Sequence, residues 1–235
     1  MMNNIIDSNF FNLVLDRYID NDVFSKVTIP QLTVTLKEEY CHEVLMLLFK
    51  LNSAFEDIEL NRKFISQYQN NTLFLMLDIE NDAYLRYNLE YFYLQIPRVF
   101  DLSLKLINVI YKLNLNGMGI NYERIIKRVE VDESVKLLVS QFYLQIIKIK
   151  EIRNEITHSN EFNEKNIDIL RITKHLSQNS KNQSIEKIIS ENSVLINDHA
   201  YKNILEFTAK TNLLSFEYIV KLFSCLQSSF SYNIA

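Results

Sequence analysis

Two glycines and two prolines in 235 residues place the tightest constraint on what this chain can fold into. A sandwich, barrel or doubly wound sheet reverses direction about every ten residues, and those reversals draw on Gly and Pro. The sequence therefore predicts an all-α protein, a bundle of long antiparallel helices. Gly117 and Gly119 stand without the glycine spacing and following Lys of a phosphate-binding loop, which argues against ATP-driven and dinucleotide chemistry. With 48% hydrophobic residues, 15 Phe and 13 Tyr, the chain can bury a core without staples.

The formal net charge of -4 predicts no broad affinity for duplex DNA or an anionic membrane, so any nucleic-acid contact must be local. The opening MMNNIIDSNFF lacks a positively charged leader pattern, and no apolar run approaches the roughly 18 residues of a membrane span. These features read as a cytoplasmic protein with no membrane partner. Cys41 and Cys225 are too few and too far apart for a disulfide framework. His42 beside Cys41 lacks the separated-pair spacing of zinc ligands, so no metal site is expected. His175 and His199 lie in polar stretches and read as solvated.

Apolar residues at 10, 11, 14, 15, 18 and 19 predict a first helix starting after Asp7 or Ser8. Residues 20–35, with Pro30 and several β-branched side chains, read as an irregular connector with room for a short extended piece. Leu36 to about Gln69 predicts one long helix or two in line. Asp82 to Leu115 predicts another, with a kink or break near Gln95 and Ile96 because Pro97 removes a hydrogen bond and clashes with the preceding turn. Asn114 to Asn121 is the clearest loop, Tyr122 to Arg128 a short helix, and Asp132 the cap of a long helix running to about Thr157. Two weakly amphipathic pieces, around 167–176 and 185–196, read as short helices or excursions before a last strong helix from His199 to about Ser228. No repeat and no clean linker divides the chain, which reads as one domain over residues 1–235.

The helix from Asp132 carries the chemistry. Apolar residues at 135, 139, 142, 146 and 149 step by four and three, defining one buried stripe that extends onto Arg153. An arginine where the pattern asks for an apolar residue is expensive to bury unless its guanidinium meets a carboxylate, a carbonyl or a phosphate. Asn154 lies four residues before His158, so the two share a helix face. A cation, an amide and a side chain that titrates near neutrality thus fall within about one and a half turns.

The segment Arg153-Asn154-Glu155-Ile156-Thr157-His158 resembles the RNxxxH signature of the HEPN superfamily, all-α domains many of which are metal-independent endoribonucleases. The resemblance covers residues 82 to about 225, and its sharp part is these six residues. The aromatic-rich, glycine-poor helices look most like the abortive-infection and stand-alone bacterial branches. It implies a homodimer in which two motif helices pack about a two-fold axis, so that two Arg and two His face one RNA cleft. The RNA 2′-OH is then the nucleophile, His158 exchanges the proton and Arg153 stabilises charge on the scissile phosphate. The implied product is a 2′,3′-cyclic phosphate, with no metal or other cofactor. Asn154 is implied to orient its neighbours. The implied role is that of a toxin or phage-defence effector, with an antitoxin protein as a further partner. HEPN toxins paired with a nucleotidyltransferase commonly carry a modified Tyr two residues after the motif His; position 160 here is Asn.

Lys148, Lys150, Arg124 and Arg128 are candidates to steer RNA phosphates, and Glu90 and Asp101 to anchor Arg153. The plainer alternatives are an ordinary ion pair of Arg153 with Glu130, Asp101 or Glu90, and a solvated His158 favouring the helix dipole. On that reading the chain is a non-catalytic HEPN-fold module that dimerises or binds RNA or a partner. The aromatic run from Tyr84 to Phe100 could stack bases, but at helical spacing it reads as core.

Overall fold

Every described secondary-structure element is helical, as the scarcity of turn-forming residues requires. The structure, a computed structural model, describes residues 5–29, 32–67, 81–159, 162, 164–179 and 183–234. Eight α-helices are described: α1 Asn9–Asp20, α2 Val23–Thr28, α3 Leu36–Ser66, α4 Asn81–Ile110, α5 Tyr122–Ile126, α6 Glu133–Ser159, α7 Lys165–Asn179 and α8 Gln183–Ile234. Short 3-10 turns cover Ile5–Asp7 and Gly117–Gly119. No described helix is long and apolar enough to cross a membrane.

Several expected boundaries move. Ser8, not Asp7, caps α1, its side chain accepting from the Phe11 N–H at 3.2 Å. The 20–35 connector contains helix α2 and no strand among its described residues. Pro97 does not break α4, which stays helical from Asn81 to Ile110. Ile96, Val99 and Phe100 around it are fully buried, so packing holds the turn that the missing hydrogen bond weakens. The piece at 185–196 is not a separate element but the start of α8, which continues unbroken to Ile234.

The chain's contacts gather it into two compact units. Unit 1 holds Met1–Asp57, Ile96–Ile147 and Leu214–Ala235; unit 2 holds Ile58–Gln95 and Lys148–Leu213. Helices α3, α4, α6 and α8 contribute residues to both.

In unit 1, side-chain pairs fix the helix directions. Phe55 meets Phe216, and Tyr40 meets Phe230, so α3 and α8 run antiparallel. Ser103 bonds Tyr218 at 2.8 Å, and the Asn233 amide donates to the Ile110 carbonyl at 2.7 Å, so α4 and α8 run parallel. Phe142 lies flat on Tyr218, centroids 4.1 Å apart, and beside Phe100, which makes α6 antiparallel to both. Helix α1 closes this unit through Phe10, which packs on Phe223 and Phe230. Cys41 is buried, and burial pushes its thiol up to about 11, so it is an inert core residue. His42 engages the Tyr18 hydroxyl at 3.2 Å.

Helix α4 ends in a Schellman motif without glycine. The Lys112 N–H donates to the Val109 carbonyl and the Leu113 N–H to the Asn108 carbonyl, with Lys112 in the left-handed region at φ 50°. Asn114 is also left-handed, at φ 54°. The buried Asn108 amide spans the turn, donating to the Leu115 carbonyl at 3.2 Å and accepting from its N–H at 3.0 Å.

Unit 2 is built from Phe92 and Tyr93 of α4, which pack on Phe207 of α8, while Tyr93 also packs on Phe162. Tyr201 donates to the Ile65 carbonyl at 2.9 Å, and the buried Asn61 amide to Asn88 at 3.1 Å. Glu164 caps α7, accepting from the N–H groups of Asn166 and Ile167.

The amide clamp at Asn108 gives a test of how this turn is held. Asn108→Ala is expected to lower the unfolding free energy by about 1 kcal/mol, because it leaves two part-buried backbone groups of Leu115 without partners. Asn108→Asp, which keeps the acceptor and loses the donor, is expected to fall between the two in urea denaturation.

Candidate functional site

Helix α6 starts as the sequence predicts, with Glu133 in its first turn and the Lys136 N–H donating to the Asp132 carbonyl. The Asp132 carboxylate takes a hydrogen bond from the Tyr111 hydroxyl at 2.6 Å and a longer one from Ser229 at 3.5 Å. Burial, with the Asp132 carboxylate adding to it, pushes the Tyr111 phenol up to about 12, so it stays a donor.

The predicted stripe is fully internal: Val135, Val139, Phe142, Ile146 and Ile149 are all buried. Arg153, the next position on it, is half-buried, and its Nε is shielded from solvent. Asn154 and His158 are exposed. Helical geometry, at about 100° per residue, accounts for the split: Arg153 follows the stripe, Asn154 and His158 share another face, and His158 lies roughly 140° around the axis from Arg153. Thr157 ties this last turn together, its hydroxyl donating to the Arg153 carbonyl at 3.0 Å and the Asn154 carbonyl at 3.2 Å. Exposed Glu151 and Glu155 precede His158 at intervals of seven and three residues, on the same side.

The other predicted residues are distributed differently. Lys148, exposed, and Lys150, half-buried, share α6 and unit 2 with the motif. Arg124 and Arg128 belong to unit 1, on and just after α5. Arg124 is exposed and its guanidinium overlies Gly119, where a Cβ would come within 2.9 Å of Nη1. Of the two anchors considered for Arg153, Glu90 accepts from Arg86 at 2.8 Å within α4, and Asp101 is half-buried in unit 1. The aromatic run is mostly core: Phe92, Tyr93 and Phe100 are buried, while Tyr87 is 69% exposed. Asn160 lies outside the described residues.

His175 and His199 are exposed, as the sequence reads them, and each borders a cavity. His175 lines a cavity of about 560 Å³ beside the Lys174–Asp82 ion pair, and His199 lines another of about 740 Å³ between α7 and α8. Neither position carries a sequence signal, because each cavity depends on how α7 packs. None of Arg153, Asn154 and His158 lines either cavity. Among the described residues, no group of three or more His, Cys, Asp or Glu side chains is placed to hold a metal ion.

No family model matches the chain, and no curated protein or solved structure matches it. The arrangement on α6 offers a general acid or base on an exposed imidazole, an amide on the same face, and a guanidinium one face away, partly withdrawn from water.

Exposure makes two of these residues clean probes. Asn154→Ala and His158→Ala are each expected to unfold within about 0.5 kcal/mol of the parent, since neither side chain is buried. Thermal and urea unfolding of the purified variants check this.

Proposed function

We propose that this protein is a metal-independent endoribonuclease of HEPN type, acting in the cytoplasm as a toxin or phage-defence effector. The observation that carries the reading is the placement of Arg153-Asn154-xxx-His158 on the last turns of a long helix whose stripe is buried up to Ile149. Beyond that stripe the helix offers Arg153 half-buried and Asn154 with His158 exposed, each in a setting suited to its role. A partly desolvated guanidinium interacts more strongly with a phosphate than one in bulk water. An exposed imidazole can exchange protons with the 2′-OH and the leaving oxygen of RNA.

The separation of Arg153 from His158 around the helix favours a composite site. One α6 presents the two groups on different sides; two copies about a two-fold axis line one cleft with both from each. The homodimer is therefore part of the proposal, and an antitoxin protein is the partner expected to restrain it. Lys148 and Lys150 are the phosphate-steering residues that share the helix. Arg124 and Arg128, on unit 1, are proposed as RNA contacts of that unit by itself. No cofactor enters the chemistry.

One observation favours a second reading, a HEPN-fold module that dimerises or binds RNA or a partner without cutting. Glu151 and Glu155 stand exposed on the side of α6 that carries His158, and their charge opposes an approaching phosphate.

Cleavage of an end-labelled, mixed-sequence RNA in excess EDTA separates the two. The nuclease reading expects cuts ending in 2′,3′-cyclic phosphate, slowed about 100-fold or more in His158→Ala, with the variant still folded and dimeric. Arg153→Ala is expected to behave similarly. Intact RNA with a folded parent dimer, or a His158→Ala variant that cuts as well as the parent, overturns it.

A further inference from the structure

Unit 1 contains a cavity of about 630 Å³, framed by the first turns of α3, the turn that closes α4 and the end of α8. Its volume falls within the roughly 300–1,000 Å³ of small-molecule sites. Two polar residues in its wall are nine-tenths buried, Asn108 and Tyr40. The Asn108 amide is spent in both directions on Leu115, whereas the Tyr40 hydroxyl is shielded from solvent and has no hydrogen-bond partner. A buried donor without an acceptor is costly, and native structures rarely keep one without a reason. Burial pushes the Tyr40 phenol up to about 12, the nearby Asn233 amide acting in the opposite sense, so the group remains an O–H donor at neutral pH. Asn233, in the same wall, spends its amide N–H on the Ile110 carbonyl and makes no hydrogen bond of good geometry with the hydroxyl.

The charges around it narrow the ligand. Lys112, held in the left-handed region, sets its ammonium over the Tyr40 ring, 5.3 Å from the centroid. Left-handed backbone at a bulky residue is costly, and such positions gather at ligand clamps. Lys37 adds a second cation, and Glu39 and Glu43 add two carboxylates, so the charged lining is balanced. A multiply charged anion would meet both carboxylates, and a simple cation both ammonium groups. A molecule carrying one charge of each sign finds a partner for each.

We propose that this cavity binds a small zwitterion of the α-amino acid class. Its carboxylate accepts from the Tyr40 hydroxyl and pairs with Lys112, while its ammonium faces Glu39 and Glu43. The hydroxyl comes within reach when the exposed Lys112 side chain swings off the ring. All of these residues belong to unit 1, so the proposal stands apart from the nuclease reading on unit 2.

The test is thermal unfolding and titration calorimetry of the full chain with an equimolar mixture of the twenty common amino acids, then with each singly. Acetate and ethylamine at the same concentration are the controls. At least one amino acid is expected to raise the unfolding midpoint saturably, with neither control doing so. Its affinity is expected to fall by about tenfold in Tyr40→Phe, in line with the loss of one hydrogen bond, and further in Lys112→Gln. Without ligand, Tyr40→Phe is expected to be at least as stable as the parent, because it removes the unsatisfied hydroxyl. If Tyr40→Phe fails to fold, Lys112→Gln carries the comparison. The proposal is overturned if no amino acid shifts unfolding, if acetate alone reproduces the effect, or if the variants bind as tightly as the parent.

Discussion

The face-to-face contact of Phe142 with Tyr218, rings 4.1 Å apart and 10° from parallel, fixes the rotation of α6 about its own axis. Flanked by Phe100 and tied in by the Ser103–Tyr218 hydrogen bond, it leaves the helix one way to turn. Within unit 1 periodicity then sends Val135, Val139 and Ile146 inward; in unit 2 the same helix has Ile149 buried, Arg153 half-buried and His158 exposed. The proposed chemistry depends on this assignment of faces. A residue inserted between Phe142 and Arg153 would turn the motif by about 100° while leaving its sequence unchanged.

Polar groups in both units act as fasteners between helices rather than as isolated defects. Ser103 with Tyr218, Asn61 with Asn88, and Tyr201 with the Ile65 carbonyl each join helices distant in sequence. An apolar surface alone permits many sliding registers, whereas a buried hydroxyl or amide is satisfied at one. The Tyr40 hydroxyl has no such fastening role.

The helical class and the core of α6 were legible because they rest on composition and on a strong 3.6-residue rhythm. The six residues of the motif, and the internal course of the stripe leading to them, were visible for the same reason. Helix α2 was hidden by β-branched residues and the nearby Pro30, which locally favour extended backbone. The continuity of α4 through Pro97 was hidden because the buried residues that compensate act through tertiary packing. The early part of α8 was obscured by exposed Val194 and Leu195, which interrupt the amphipathic pattern without ending the helix. Pairwise geometry across elements was beyond the sequence: nothing in it places Tyr40 beside Lys112 or separates Arg124 from the unit of Arg153, whereas the i,i+4 spacing of Arg86 and Glu90 is legible as a pair within one helix.

The parallel pairing of α4 with α8 has a consequence in time. Ser103 and Tyr218 are 115 residues apart in sequence, and Ile110 and Asn233 are 123 apart. Closing loops of this length precedes the reward of contact, which slows folding. During synthesis the aromatic face of α4 leaves the ribosome on the order of ten seconds before the helix that covers it. For that interval Phe92, Phe100 and their neighbours are sticky surfaces open to chaperones or to another nascent chain, so the yield of folded protein depends on translation speed as well as on final stability.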